Sequence, residues 1–384
     1  MNALARPAHV RQSGAPARAG AVLTVDLDAI AANYRLLSER AGGAQVAGVM
    51  KADAYGLGMD RVAPALVRAG CRVFFTAHVE EGIRLRGIVP ADSTVYVLHG
   101  PPPGTAADFV EHRLIPVLND PGQVREWSAA CARAGRRLPA AVQVDSGMSR
   151  MGLSPADLAS LGDPHAWLTG FEPVLVMSHL ACADEPDHPM NAAQRARFDA
   201  IRAGFPPLPA SLANSSAIFL GPAFHYDLAR PGAALYGINP QPGAPNPLRQ
   251  AVSLDARIVQ VRTIEAGTAV GYGARHVAAG TQRIATIGIG YADGWLRALS
   301  GRGHAFVDGV QVPVAGTVSM DSITLDVTGI PEARLQPGMT VELLGPHQHV
   351  DAVAAEAGTI GYEVLTRLGS RFERRYLVSP DSPD

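Results

Sequence analysis

The stretch Gln45-Val46-Ala47-Gly48-Val49-Met50-Lys51-Ala52-Asp53-Ala54-Tyr55-Gly56 decides how this chain is read. A short apolar run ends at a lysine and passes into a loop of small residues. The run has the length of a buried parallel strand and is too short for a helix. Behind it, residues 60–69 have the charge and alanine content of a helix, closed by Gly70. Lys51 therefore falls at the carboxyl end of a strand, where α/β proteins carry their chemistry. It is also the single lysine among the 33 lysines and arginines of a 384-residue chain. An exposed cation tolerates exchange for arginine. An amine that must lose its proton and attack a carbonyl does not, because arginine stays protonated. Schiff-base chemistry thus leads the readings of Lys51, against a leftover surface lysine, which composition alone makes at least as common.

Outward from this point, residues 23–27 read as a strand and 28–40 as a capped helix. Apolar strand candidates follow near 46–51, 73–77, 94–98, 115–118, 140–145, 174–179, 210–213 and 226–229, with helical segments such as 121–135 and 191–204 between them. Eight strands separated by helices predict an α/β fold, a closed TIM-like (β/α)8 barrel over residues 21–240, after a mobile tail over 1–20. The strand at 23–27 is a candidate to pair with the second domain instead. Residues 237–247 break the pattern with Pro240, Pro242, Pro245 and Pro247 and read as a linker. From 248 to 384 the texture is that of a mainly β domain, with strands at 256–261, 283–289, 305–307, 324–327 and 339–344 and a late helix at 350–357.

Composition excludes several classes. A formal net charge of -2 and a pI near 6.6 give no basic field for nucleic acid or membrane. Cys71, Cys131 and Cys182 are odd in number and widely spaced, which speaks against a disulfide framework or a zinc site and for a reducing, cytoplasmic setting. No apolar stretch reaches the ~18 residues of a membrane helix. The first twenty residues lack the apolar core of a signal peptide, and their Arg-rich character is only weakly like a transit peptide.

The residues with chemical potential gather behind the barrel strands: 145–150 after the fifth, 178–184 after the sixth, 214–216 after the seventh and 230–232 after the eighth. In a barrel all of them face one rim, together with Lys51. Singly, each has a plain alternative. His179 reads as a structural histidine, Arg150 as a surface cation, Asn214-Ser215 as a helix cap. Asn-Ser at a helix start and a glycine after Arg230 also supply what a phosphate needs: converging N–H groups, hydroxyl donors and no obstruction. A sole lysine beside a phosphate cradle implies pyridoxal 5'-phosphate. A class I aldolase acting on a sugar phosphate meets the same two demands but leaves the second domain unexplained.

In order, and over nearly all of residues 23–378, the chain closely resembles bacterial alanine racemase, a fold-type III pyridoxal phosphate enzyme. The resemblance rests on Val49 to Gly56, Asp145 to Gly152, Ser178 to Asp184, Ala213-Asn214-Ser215 and Arg230-Pro231-Gly232. In the second domain it rests on Gly271-Tyr272-Gly273, Gly290 to Gly294, Val318-Ser319-Met320-Asp321 and Gly361-Tyr362-Glu363. It implies that Lys51 holds the cofactor and acts as base on one substrate face. Tyr272 of the partner subunit would be the opposing base, in a homodimer with shared sites. For an isolated tyrosine in a glycine-rich strand, a place in the core is the commoner reading.

By the same resemblance Tyr55, Ser215, Gly232 and Tyr362 match phosphate-binding positions, with Asn214 beside them. Arg230 faces the pyridine nitrogen with His179 hydrogen-bonded behind it, and Arg150 and the N–H of Met320 hold the substrate carboxylate. No metal is implied. The implied activity is interconversion of L- and D-alanine, supplying D-alanine for peptidoglycan. A serine or broad-specificity racemase, and less so an ornithine-type decarboxylase, are the alternatives within this architecture. One position departs from the family pattern. Many relatives carry a lysine, carbamylated to an anion that orients the substrate-binding arginine, where this chain has Gln143. Its neutral carbonyl is a weaker acceptor, which raises the expectation that chloride assists beside Arg150.

Overall fold

The computed structural model of the protein describes residues 18–378. Most of the tail expected at the amino end, residues 1–17, and the last six residues of the chain lie outside the described residues.

The first barrel strand is formed by β2 (Gln45–Val46) and β3 (Gly48–Val49). It is followed by β4 (Val73–Thr76), β5 (Thr94–Val97), β6 (Ile115–Leu118), β7 (Pro139–Gln143) and β8 (Glu172–Met177), then by β9 (Ala210–Ser211) and β10 (Leu228–Ala229). From β3 to β9 each strand pairs in parallel with the next. Closure runs through β10, which pairs with β2, and continues where the N–H groups of Ala47 and Val49 donate to Ala229 and Pro231. On its other side the β10 segment meets the β9 segment, with Asp227 N–H on Ala210 O and Arg230 N–H on Ala213 O. Eight strands thus close into a ring, as the alternation predicts. The strand interiors, such as Phe74, Val95, Val117 and Val142, are buried, as both faces of a barrel strand require.

Local sequence sets the helices. Asp26 caps helix Leu27–Arg40, its carboxylate accepting from Ala29 N at 2.8 Å. Asp120, Pro121 and the left-handed Gly135 bound helix Pro121–Ala134 at its two ends. Between β9 and β10 only 3₁₀ turns form, at Ala217–Phe219 and Pro222–Phe224, because Gly221-Pro222 interrupts any longer helix. Helix Leu27–Arg40, which precedes the first barrel strand, packs on helix Met59–Arg68. Buried Asn33 ties it to the chain leaving the barrel, donating to Leu235 O and Arg249 O and accepting from Arg249 N.

The second region centres on β11 (Val252–Ile264), a 13-residue strand with a bulge between Ile258 and Gln260. The opening strand β1 (Ala21–Asp26) leaves the barrel and pairs antiparallel with β11, Leu23 opposite Leu254. The hairpin of β12 (Ala269–Val270) and β13 (His276–Val277) is followed by β14 (Gln282–Ile287), β15 (His304–Val307) and β16 (Val310–Pro313). Then come β17 (Ile323–Asp326), β18 (Thr340–Leu344), helices Val350–Ala357 and Gly361–Thr366, and β19 (Glu373–Leu377), parallel to β1. Alternating burial along β11, β15 and β17 is that of a sheet with one covered face.

Candidate active site

Immediately after β3 the backbone does something rare. Ala52, Asp53, Ala54 and Tyr55 all lie in the left-handed region, with φ between 53° and 57°. None is a glycine, so the conformation costs roughly 1–2 kcal/mol per residue. Hydrogen bonds offset it: Ala54 N donates to Met50 O, Gly56 N to Ala52 O and Gly58 N to Asp53 O. Asp53 also accepts from Met59 N and pairs with Arg84 at 2.9 Å. The turn sends Lys51 and Tyr55 into one cavity of about 250 Å³ at the carboxyl ends of the strands.

That cavity collects most of the residues singled out in the sequence. Lys51, Tyr55, Gln143, Arg150, His179, Asn214, Ser215, Arg230, Gly232 and Tyr362 all line it. Burial is the first cause lowering the pKa of Lys51, followed by the positive charge of Arg150. The Arg150 loop winds round a carboxylate: Asp145 Oδ1 accepts from the N–H groups of Gly147, Met148 and Ser149. Gln143, the last residue of β7, is buried, and among the described residues no carboxylate pairs with Arg150.

Arg230 is held rigidly. Its guanidinium donates to Ser211 Oγ, to Ser178 O at 2.7 Å and to His179 Nδ1 at 3.4 Å. Burial pushes its pKa down to about 9, which leaves it a cation at neutral pH. Burial, then the charge of Arg230, pushes His179 down to about 3, so its ring is neutral and its Nδ1 accepts.

The far wall is built from hydroxyls. Ser215 Oγ accepts from the N–H groups of Gly232 at 3.0 Å and Ala234 at 3.2 Å, which leaves its own proton to donate. The phenols of Tyr55 and Tyr362 face the same cavity, and burial raises both pKa values, so both stay protonated. A Cβ on Gly232 would sit 2.2 Å from the Tyr55 oxygen, so this wall admits no side chain there. Asn214 Oδ1 accepts from Ala217 N at 2.9 Å, fixing the turn that carries Ser215 at the cavity wall.

Two singled-out residues are not brought to the cavity. Tyr272 sits in the turn between β12 and β13 and is 73% exposed, so the reading as a core tyrosine fails. Met320 is 53% exposed in the loop before β17. Both loops are nonetheless anchored: Thr317 donates to Tyr272 O, Ala292 N to Met320 O, and Arg371 pairs with Asp321 at 2.7 Å. Residues that sequence reasoning missed also line the cavity, among them Phe75, His99 and Met177. Their signal was position, since each stands at or just past the end of a barrel strand.

Barrel, rim and added β region define an enzyme whose candidate site is the cavity that holds Lys51. The chain belongs to the alanine racemase family. Residues 25–240 match the model of the alanine racemase N-terminal domain and residues 251–376 that of its C-terminal domain. It is 55% identical over 361 residues to alanine racemase of Rhodospirillum rubrum, covering 94% of this chain and 96% of that one. It is 54% identical to the catabolic alanine racemase of Mesorhizobium japonicum, covering 94% of each. Among solved structures, alanine racemase of Bartonella henselae with covalently bound pyridoxal phosphate superposes with a TM-score of 0.91 at 40% identity, over 94% of this chain and all of that one.

Proposed function

We propose that this enzyme interconverts L-alanine and D-alanine with pyridoxal 5'-phosphate, using Lys51 and Tyr272 of the partner subunit as bases on opposite substrate faces. The observation carrying this is that one cavity holds the sole lysine, a hydroxyl wall and a buried arginine. The residues present fit the cofactor: Lys51 offers the amine, and Ser215, Tyr55 and Tyr362 offer protons to a phosphate beside the open face of Gly232. When bound, pyridoxal phosphate supplies an aldehyde that takes up an amine and a ring that withdraws electrons from its α-carbon.

The chain does the rest. Arg230, a cation at neutral pH, would face the ring nitrogen of the bound cofactor and keep its own proton, which would leave the ring a weaker electron sink and disfavour transamination. His179, kept neutral, orients Arg230 from behind. Arg150 binds the substrate carboxylate, aided by the N–H of Met320 from the partner subunit, and so fixes the α-carbon between the two bases. Lys51 Nζ takes or returns the proton on one face, and the phenol of Tyr272 of the partner subunit does so on the other.

Supply of D-alanine to peptidoglycan and a cytoplasmic location belong to the same proposal. The free thiols of Cys71, Cys131 and Cys182 support the location. An absorbance spectrum of the purified protein with racemisation assays on L-alanine and L-serine tests the chemistry. A bound-cofactor band and D-alanine formation are expected. No band and no D-alanine, even after adding pyridoxal phosphate, would overturn the reading. Depletion in the cell should create a requirement for D-alanine; growth without it would remove the cell-wall role.

A further inference from the structure

Glu81 lies on helix Val79–Arg86, after β4, and belongs to none of the matched motifs. One of its oxygens caps its own helix in the ordinary way, Oε2 accepting from Ala77 N at 2.8 Å and His78 N at 3.2 Å. The other oxygen leaves the helix. Oε1 accepts from Ala52 N at 2.6 Å, the first residue after Lys51 and the first of the four in the left-handed turn. A single carboxylate therefore ties the chain ends of two neighbouring barrel strands together at the residue next to the lysine.

We propose that Glu81 is a positioning residue for Lys51: its carboxylate fixes the left-handed turn so that the lysine amine is presented to the cavity in one orientation. This rests on the reading of Lys51 as cofactor anchor and base. The turn needs such a tie because its residues are alanines, an aspartate and a tyrosine, which favour other conformations. Both oxygens are used, so neither a shorter acid nor an amide can replace it. Aspartate is one methylene short, and glutamine has one acceptor for two sets of donors.

Charge gives a second consequence. Among the described residues, the groups facing Lys51 from the surrounding loops are Arg150, Arg230, His179 and His99, with Glu81 the negative charge acting on it. Its removal leaves burial and Arg150, the two leading causes, to lower the lysine pKa further.

The test compares holoenzyme with Glu81→Gln and Glu81→Asp, each saturated with pyridoxal phosphate, by kcat, KM for L-alanine, the pH profile of kcat, which reports Lys51 once substrate has displaced it from the cofactor, and thermal melting. Both variants should lose kcat on the order of 10- to 100-fold with KM little changed, as expected when a reacting group is misplaced rather than binding lost. In Glu81→Gln alone, the acid limb of the pH profile should move to lower pH; Glu81→Asp keeps the charge and the limb. A purely capping role would lower the melting temperature and leave kcat and the limb at wild-type values, which overturns the proposal. Wild-type protein without racemisation or a cofactor band overturns the underlying assignment of Lys51 instead.

Discussion

The barrel rim and the β region each carry residues expected to act on the substrate, and they present them in opposite ways. On the rim Arg230 is buried and hydrogen-bonded on three sides, Tyr55 is packed against Tyr236, and Ser215 is pinned by two backbone N–H groups. In the β region Tyr272 and Met320 stand on exposed loops, although those loops are themselves anchored. Preorganised donors raise affinity because no ordering cost remains at binding. The rim therefore gathers its preorganised donors within one chain. The exposed loops have the opposite property, and on the proposed reading the surface that covers them is a second copy of the chain in a two-fold dimer.

The largest expected effect comes from attacking the rim at its centre. Lys51→Arg keeps the charge but not a nucleophilic amine, and should cost at least ~10³-fold in racemisation together with the bound-cofactor absorbance. Activity near wild type would dissolve the distinction between rim and loops. Next comes the hydroxyl wall. Gly232→Ala places a methyl against the Tyr55 phenol and displaces one charged hydrogen bond, worth about 1.5–3 kcal/mol, so cofactor affinity should fall roughly 10- to 100-fold by equilibrium dialysis. Unchanged affinity would mean that the phosphate is held elsewhere.

The buried polar layer behind the rim has a pH signature. His179 is pushed from its ordinary 6.5 down to about 3, so below 6.5 the unfolded chain binds a proton that the folded chain refuses. Its contribution to stability is present above about 6.5 and is lost as pH falls toward 3. His179→Gln should flatten the decline in melting temperature between pH 6.5 and pH 5 relative to wild type; an equal decline would place the ring in contact with water. The smallest effect concerns Gln143. A neutral carbonyl at this position would hold Arg150 less tightly than an anion by about 1 kcal/mol. Racemisation should be indifferent to removal of dissolved carbon dioxide and raised a few-fold by chloride at constant ionic strength. Equal rates in chloride-free buffer would show Gln143 sufficient alone.

How far each region was legible follows from the same contrast. Barrel strands announce themselves as short apolar runs, and the eight predicted segments fall on the eight observed, with ends displaced by a few residues. Motifs behind those strands reach the cavity because a barrel brings every strand end to one rim. The left-handed turn was not legible, since Ala-Asp-Ala-Tyr carries no glycine and the conformation is imposed by Glu81, Asp53 and the packing of Tyr55. Nor were the β12–β13 hairpin and β19, whose short runs have little periodicity. Phe75 and His99 were missed because an isolated aromatic residue at a strand end looks like core.

The central claim, that the rim of one chain works with the exposed tyrosine of another, is tested most directly by mixing two inactive parents, Lys51→Ala and Tyr272→Phe. Random exchange of subunits makes half the dimers hybrid, each with one intact site of two, so about one quarter of wild-type activity should return. Complete exchange, verified by mass, with no activity recovered would contradict the account.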